Sequence, residues 1–144
     1  MDELSTKVGK TLGTSAWHVL SQSTIDHFGR VTLDEQWIHT DPVRAASGPF
    51  GGTIAHGFLT LSLCPKLLEE CLTVDGITMA VNYGLDKVRF PSPVRAGTRV
   101  RGQAALEDFK VTPGGAQTVI RVTVETESGD KPACVALMVT RFVA

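Results

Sequence analysis

Asp34-Glu35-Gln36-Trp37-Ile38-His39-Thr40-Asp41-Pro42 is the stretch of this 144-residue chain whose residue types could do chemistry. A carboxylate and an imidazole five residues apart form a pair able to take a proton from one water and hand it on. Histidine titrates near neutral pH, which suits it to general acid–base work. The spacing resists a simple placement. In one continuous helix Asp34 and His39 would point about 140° apart at 3.6 residues per turn. They can face one water only if the chain leaves helical geometry between them. Asp41-Pro42 is a fresh helix start, with Asp as cap and Pro tolerated in the first turn, and it fits such a break.

The flanking residues predict how the pair is held. Ser23-Thr24-Ile25-Asp26 reads as a helix start, with Ile25 and Phe28 on one face and Gly29 as its end. Thr32-Leu33-Asp34-Glu35 repeats the capping-box arrangement, with Thr32 as cap. Ser47 to Gly52 is a loop rich in structure breakers. His56 to Leu72 is the longest helical candidate. Its first half is apolar nearly all round, which marks a buried helix. Pro65 within it removes a backbone donor and predicts a kink or a split.

From Ile77 onward the pattern alternates. Met79, Val81, Tyr83 and Leu85 share one face, and the phase slips near Gly84, predicting a bulge. Val100 to Leu106 and Ile120 to Val124 alternate cleanly, and Ala133 to Phe142 is apolar on both faces, as in a central strand. Turns at Pro113-Gly114-Gly115 and Ser128-Gly129-Asp130 join them, so the strands should pair antiparallel. Trp17 to Leu20 can add an early strand. An antiparallel sheet needs an apolar partner on its inner face, and the helix from His56 is the large one available. The expected class is α+β: one sheet wrapped around a central buried helix, as a single domain over residues 1–144.

Composition narrows the function. Hydrophobic residues make up 42% and charged residues 20%, with a formal net charge of -1. No strongly basic stretch exists to neutralise phosphates, so nucleic acid is not an expected partner. Arg95, Arg99 and Arg101 read as a solvated strand face. No apolar run is long enough to span a bilayer, and Met1 to Lys10 is polar, so the expectation is a cytoplasmic protein without a membrane partner. Three cysteines without paired spacing argue against a disulfide framework, and Cys64 and Cys71 read as core residues. No zinc-ligand spacing occurs, and no metal is expected.

The Asp34 segment resembles the hydratase motif of MaoC-like proteins. That motif runs Asp-x-Asn-Pro-x-His-x-Asp-Pro, then a loop with Gly and Phe, then Ile-x-His-Gly. This chain supplies Asp34, His39, Asp41 and Pro42, then Phe50-Gly51-Gly52-Thr53-Ile54-Ala55-His56-Gly57. Gln36 stands where the family often has Asn, and Trp37 where it often has Pro. The wording Gln-Trp-Ile-His is more similar to the nodulation-protein-N-like branch. The similarity continues through Asn82-Tyr83-Gly84 and Lys87-Val88-Arg89-Phe90-Pro91.

The resemblance implies a hot-dog fold and an (R)-specific enoyl-CoA hydratase, adding water reversibly and syn to a trans-2-enoyl thioester. It implies His39 as base or water-orienting group and Asp34 as proton relay, with the roles open to exchange. The Gly57 N–H, at a helix start, is the expected oxyanion donor. His56, Ile54, Ala55, Trp37, Asn82 and Tyr83 are the expected substrate-lining residues. For His56 a filling or hydrogen-bonding role beside the helix start is the stronger reading, and core packing or sheet hydrogen bonding accounts for Asn82 and Tyr83 at least as well. Lys87 and Arg89 could meet CoA phosphates, although a solvated face is the simpler account. His18 and His27 read as ordinary. Gly51-Gly52 could cradle phosphate, but no Lys-Ser/Thr follows, so loop geometry is preferred. No cofactor is expected beyond the CoA or acyl-carrier protein of the substrate. A homodimer is expected, since an open sheet leaves edges to cover. Two other functions stay open: an acyl-CoA thioesterase on the same fold, and a non-catalytic acyl-CoA-binding subunit.

Overall fold

The computed structural model describes residues 1–144. A short helix, α1 (Asp2–Ser5), precedes strands β1 (Thr11–Thr14) and β2 (His18–Val19). Three helices follow: α2 (Gln22–Thr32), α3 (Trp37–Thr40) and α4 (Pro42–Ala46). The long helix α5 (Gly57–Cys71) then leads into β3 (Met79–Arg89), β4 (Arg99–Thr112), β5 (Gly115–Thr126) and β6 (Cys134–Val143). The six strands form one antiparallel sheet in the order β1-β4-β5-β6-β3, with β2 also on β4. This is the expected α+β architecture, and β6 lies inside the sheet as its two-sided apolar pattern predicts.

The buried helix and the sheet share one core. Leu59, Cys64, Leu67 and Leu68 of α5 join Val100, Ala104 and Leu106 of β4, Ile120, Val122 and Val124 of β5, and Ala136, Met138 and Phe142 of β6. The alternation read from β4 and β5 is the alternation of burial along those strands. Gly102 permits the close approach of α5: a Cβ there would lie 2.7 Å from Leu67 Cβ. The bulge expected near Gly84 is present as a register shift between Asn82 and Gly84 opposite β6.

Several local expectations are corrected. Helix α2 is capped by Ser21, whose side chain accepts from Thr24 N–H, rather than starting at Ser23. It does not stop at Gly29 but continues to Thr32. Thr32 is therefore a last-turn residue, not a cap, and its hydroxyl donates back to the Phe28 carbonyl. Pro65 does not split α5, which runs unbroken from Gly57 to Cys71. Proline removes its own N–H bond and crowds the carbonyl four residues back, and tertiary burial of the surrounding apolar face holds the helix together despite both. The arginines differ among themselves. Arg99 and Arg101 lie over the Trp17 ring and pair with Glu127 and Glu125. Arg95 sits before β4 and donates to the Gly51 carbonyl at 2.6 Å.

Candidate active site

The break between Asp34 and His39 begins at Leu33. Its φ of 61° is the left-handed conformation that ends α2, and no other non-glycine residue has a positive φ. Both the Leu33 and Asp34 N–H groups donate to the Gly29 carbonyl. The chain then turns through Glu35 and Gln36 into the single turn of α3, which carries His39 on its inner side. Asp41 caps α4 by accepting from Arg44 N–H at 3.0 Å, as its Asp-Pro sequence predicts.

Asp34, His39 and His56 converge. One ligand-type atom of each lies within 4.8 Å of the other two. His39 is buried, and its Nδ1 donates to the Ile54 carbonyl at 2.7 Å. A carbonyl only accepts, so the neutral ring carries its proton on Nδ1 and presents Nε2 as a free base. Burial is the main influence on His39 and pushes its pKa below 6.5. The Ile54 carbonyl pulls the other way, a positive His56 would lower it further, and the Asp34 carboxylate raises it. Asp34 is exposed, so this cluster faces solvent through its carboxylate.

His56 sits beside the start of α5 in the filling, hydrogen-bonding role that is the stronger reading of the sequence, and what the sequence does not reveal is its partner. His56 is buried, and its Nε2 donates to the Asp34 main-chain carbonyl at 2.8 Å. Its ring stacks on His39 with centroids 3.8 Å apart and lies tilted against Phe28. Gly29 makes room for this arrangement, since a Cβ there would lie 2.9 Å from the Asp34 carbonyl oxygen and 3.6 Å from the His56 ring. His56 Nε2 and His39 Nδ1 are engaged and His56 Nδ1 is buried without a partner, so His39 Nε2 and the Asp34 carboxylate are the groups left to meet a water.

His56 is also the N-cap of α5, but its side chain does not cap the helix. Gly57 N–H, in the first turn, has no partner carbonyl within the helix. A Cβ on Gly57 would lie 3.1 Å from the Phe90 ring, so the approach to this N–H is narrow.

The other expected lining residues scatter. Ile54 acts through its main chain: its carbonyl holds His39 and its N–H donates to Ile38 at 3.0 Å. Ala55 is buried and bonds the Val94 carbonyl. Trp37 lies under the Arg44 guanidinium at 4.4 Å and close to Gly48, on the α4 side. Tyr83 lies on exposed β3 with the Arg141 guanidinium 3.5 Å from its ring centroid. Asn82 and Tyr83 border a cavity of about 390 Å³ beside Leu61, Ser62 and Pro65 of α5. Beyond Pro65 and Asn82 this cavity adjoins a second, of about 460 Å³, bounded by Leu68, Leu72, Ile77 and Phe142. Along this groove β3 runs opposite to α5, so that Phe90 meets Gly57 at one end and Ala80 lies with Leu68 at the other. Neither cavity encloses His39. The Gly51-Gly52 loop packs against Arg95: a Cβ on Gly52 would lie 2.5 Å from its guanidinium, which donates to the Gly51 carbonyl.

The family described as MaoC like domain matches residues 3–129, the span that includes this cluster. The chain belongs to the MaoC-like family. Among curated MaoC-like relatives, 3-hydroxyacyl-thioester dehydratase Z of Mycobacterium tuberculosis is 48% identical over 99% of this chain and 95% of its own. Nodulation protein N of Rhizobium meliloti is 45% identical over 94% and 86%. The MaoC-like dehydratase from Rhodospirillum rubrum superimposes with a TM-score of 0.77 at 21% identity, covering 95% of this chain and 93% of its own. The (R)-hydratase from A. caviae gives 0.73 at 22%, covering 90% and 94%. The chain is thus a MaoC-like hydratase/dehydratase, a hydro-lyase, with the hot-dog fold.

Proposed function

We propose that this protein adds water reversibly to trans-2-enoyl-CoA, giving (3R)-3-hydroxyacyl-CoA. The observation that carries this reading is the convergence of Asp34 and His39, with His39 Nδ1 tied to Ile54 so that a basic Nε2 is left free. Water is a poor nucleophile, and a positioned base removes its proton as the oxygen attacks C3. His39 Nε2 accepts that proton, the C2–C3 π bond opens, and Asp34 relays the proton to C2. The C3–O and C2–H bonds form on the face where the water sits, so addition is syn. Negative charge builds on the thioester oxygen, and the Gly57 N–H at the start of α5 is the donor aimed at it. The acyl chain follows the groove between α5 and β3.

The named relatives support this reading, because one is a 3-hydroxyacyl-thioester dehydratase and one neighbour an (R)-hydratase. A homodimer belongs to it. Strand β3 is a sheet edge carrying exposed Met79, Val81, Tyr83 and Leu85, and a second copy is the partner proposed to cover it. A monomeric mass in solution at micromolar concentration would count against the dimer.

The test of the reaction is hydration of crotonyl-CoA with chiral analysis of the product. Wild-type protein should yield the (3R) product. Asp34→Asn and His39→Gln should each fold normally and lose most activity. Release of free thiol instead of hydration would favour a thioesterase, and wild-type turnover in either variant would end the assignment.

A further inference from the structure

Two buried side-chain polar atoms have no hydrogen-bond partner: His56 Nδ1, in the acid–base cluster, and the Thr140 hydroxyl. Thr140 is 3% exposed and lines the larger cavity along α5. Its main chain is not the group at fault, because its carbonyl already accepts from the Thr118 hydroxyl. Asn82 lines the same cavity and stands directly across from Thr140 in the β3–β6 register. The wall around them is apolar at Ala80, Phe142, Leu68 and Pro65 and polar at Glu69 and Thr73, and none of these side chains hydrogen-bonds the Thr140 hydroxyl. Among the residues lining this cavity, Thr140 is the one whose buried side-chain oxygen is left unpaired.

Resting on the proposed acyl groove, we propose that Thr140 and Asn82 recognise a hydrogen-bonding substituent, a hydroxyl or keto oxygen, on the acyl chain of the substrate. A buried hydroxyl left unpaired is costly, and a ligand that pairs with it is favoured over one that leaves it bare. A plain alkyl chain needs neither residue; valine would fill the Thr140 position without an orphaned group. The position along the chain follows from the helix. With a rise of about 1.5 Å per residue, Pro65 and Leu68 lie about 12 to 16 Å along α5 from Gly57. The recognised oxygen is therefore far from the thioester, which makes the substrate a long acyl chain oxygenated toward its distal end.

The experiment compares binding of dodecanoyl-CoA with that of omega-hydroxydodecanoyl-CoA and mid-chain hydroxylated dodecanoyl-CoAs, by titration calorimetry on the full-length protein. Wild type should bind at least one hydroxylated chain roughly tenfold more tightly than the plain chain. Thr140→Val should abolish that preference and Thr140→Ser should keep it. Equal affinities for all chains in wild type, or a preference that survives Thr140→Val, would overturn the proposal. The measurement asks for no turnover, so crotonyl-CoA hydration decides the reaction and the affinity ratio decides the recognition.

Discussion

The imidazoles of His39 and His56 stack face to face, with centroids 3.8 Å apart and planes 23° from parallel. Two rings this close cannot both be positively charged cheaply, so each sets the charge the other can hold. Replacing His56 by Phe keeps a flat ring against His39 but removes one possible charge. A positive His56 lowers the His39 pKa, so His56→Phe should move the acidic limb of kcat/KM to higher pH. The variant also loses the donor to the Asp34 carbonyl, at a stability cost of about 1–2 kcal/mol. A pH–rate profile and a urea melt check both; an unmoved limb would separate His56 from the titration of His39.

Burial holds His39 below its ordinary pKa of 6.5, which fixes the sign of two pH effects. The free base persists in the folded protein below pH 6.5, so kcat/KM should hold there and fall only at lower pH. The unfolded chain takes up the proton first. His39 therefore contributes its full stability above pH 6.5, and that contribution is lost as pH falls from 6.5 through the lowered value. His39→Gln should remove this part of the acid destabilisation. An acidic limb at or above pH 6.5 would contradict the burial argument.

Gly57→Ala tests the mouth of α5. The added Cβ meets the Phe90 ring at 3.1 Å, and that ring is partly exposed and can give. Stability should change by less than about 1–3 kcal/mol, while activity falls by about tenfold or more as the acyl carbonyl is pushed from the N–H. Steady-state kinetics with crotonyl-CoA, beside a thermal melt, separates the two.

Leu33→Gly should stabilise the protein. Leu33 is 89% exposed, so no packing is lost, and its left-handed backbone costs a non-glycine residue about 1 kcal/mol. Glycine returns some of that gain as unfolded-state entropy, leaving roughly 0.5 kcal/mol. Urea denaturation reads the difference; destabilisation would mean the left-handed turn is not strained.

The proposed chemistry passes through protein groups alone, although Asp34, His39 and His56 lie close enough to chelate. Activity should survive dialysis against EDTA. Loss of activity with recovery on adding one divalent cation would turn the cluster into a metal centre.

What could be read from the residues was whatever short-range rules govern. Asp41-Pro42 capped the helix it announces because capping is a contact across three residues. The alternation of β4 and β5 was legible because a two-residue period states which face is buried. Gly29 misled for a tertiary reason. A glycine near a helix end usually terminates it, but here its missing side chain admits the Asp34 carbonyl and the His56 ring. The His56–Asp34 bond spans 22 residues, and nothing in the local pattern signals it. Asp34 and His39 were found as a pair from their motif. The groove along α5 needed the antiparallel placement of β3, which no spacing within either segment reveals.

The anchor of His39 is a main-chain oxygen, and every amino acid at position 54 supplies one. Point substitution there can alter packing yet leaves the acceptor in place, so His39 keeps its tautomer through changes that would free a ring oriented by an Asp or Glu side chain. Losing the orientation takes a displacement of the whole 53–55 backbone. That segment is fastened on both sides, to Ile38 and to the Val94–Ala96 stretch. An insertion or deletion in the preceding loop is therefore a more damaging lesion for this catalyst than any side-chain exchange at Ile54.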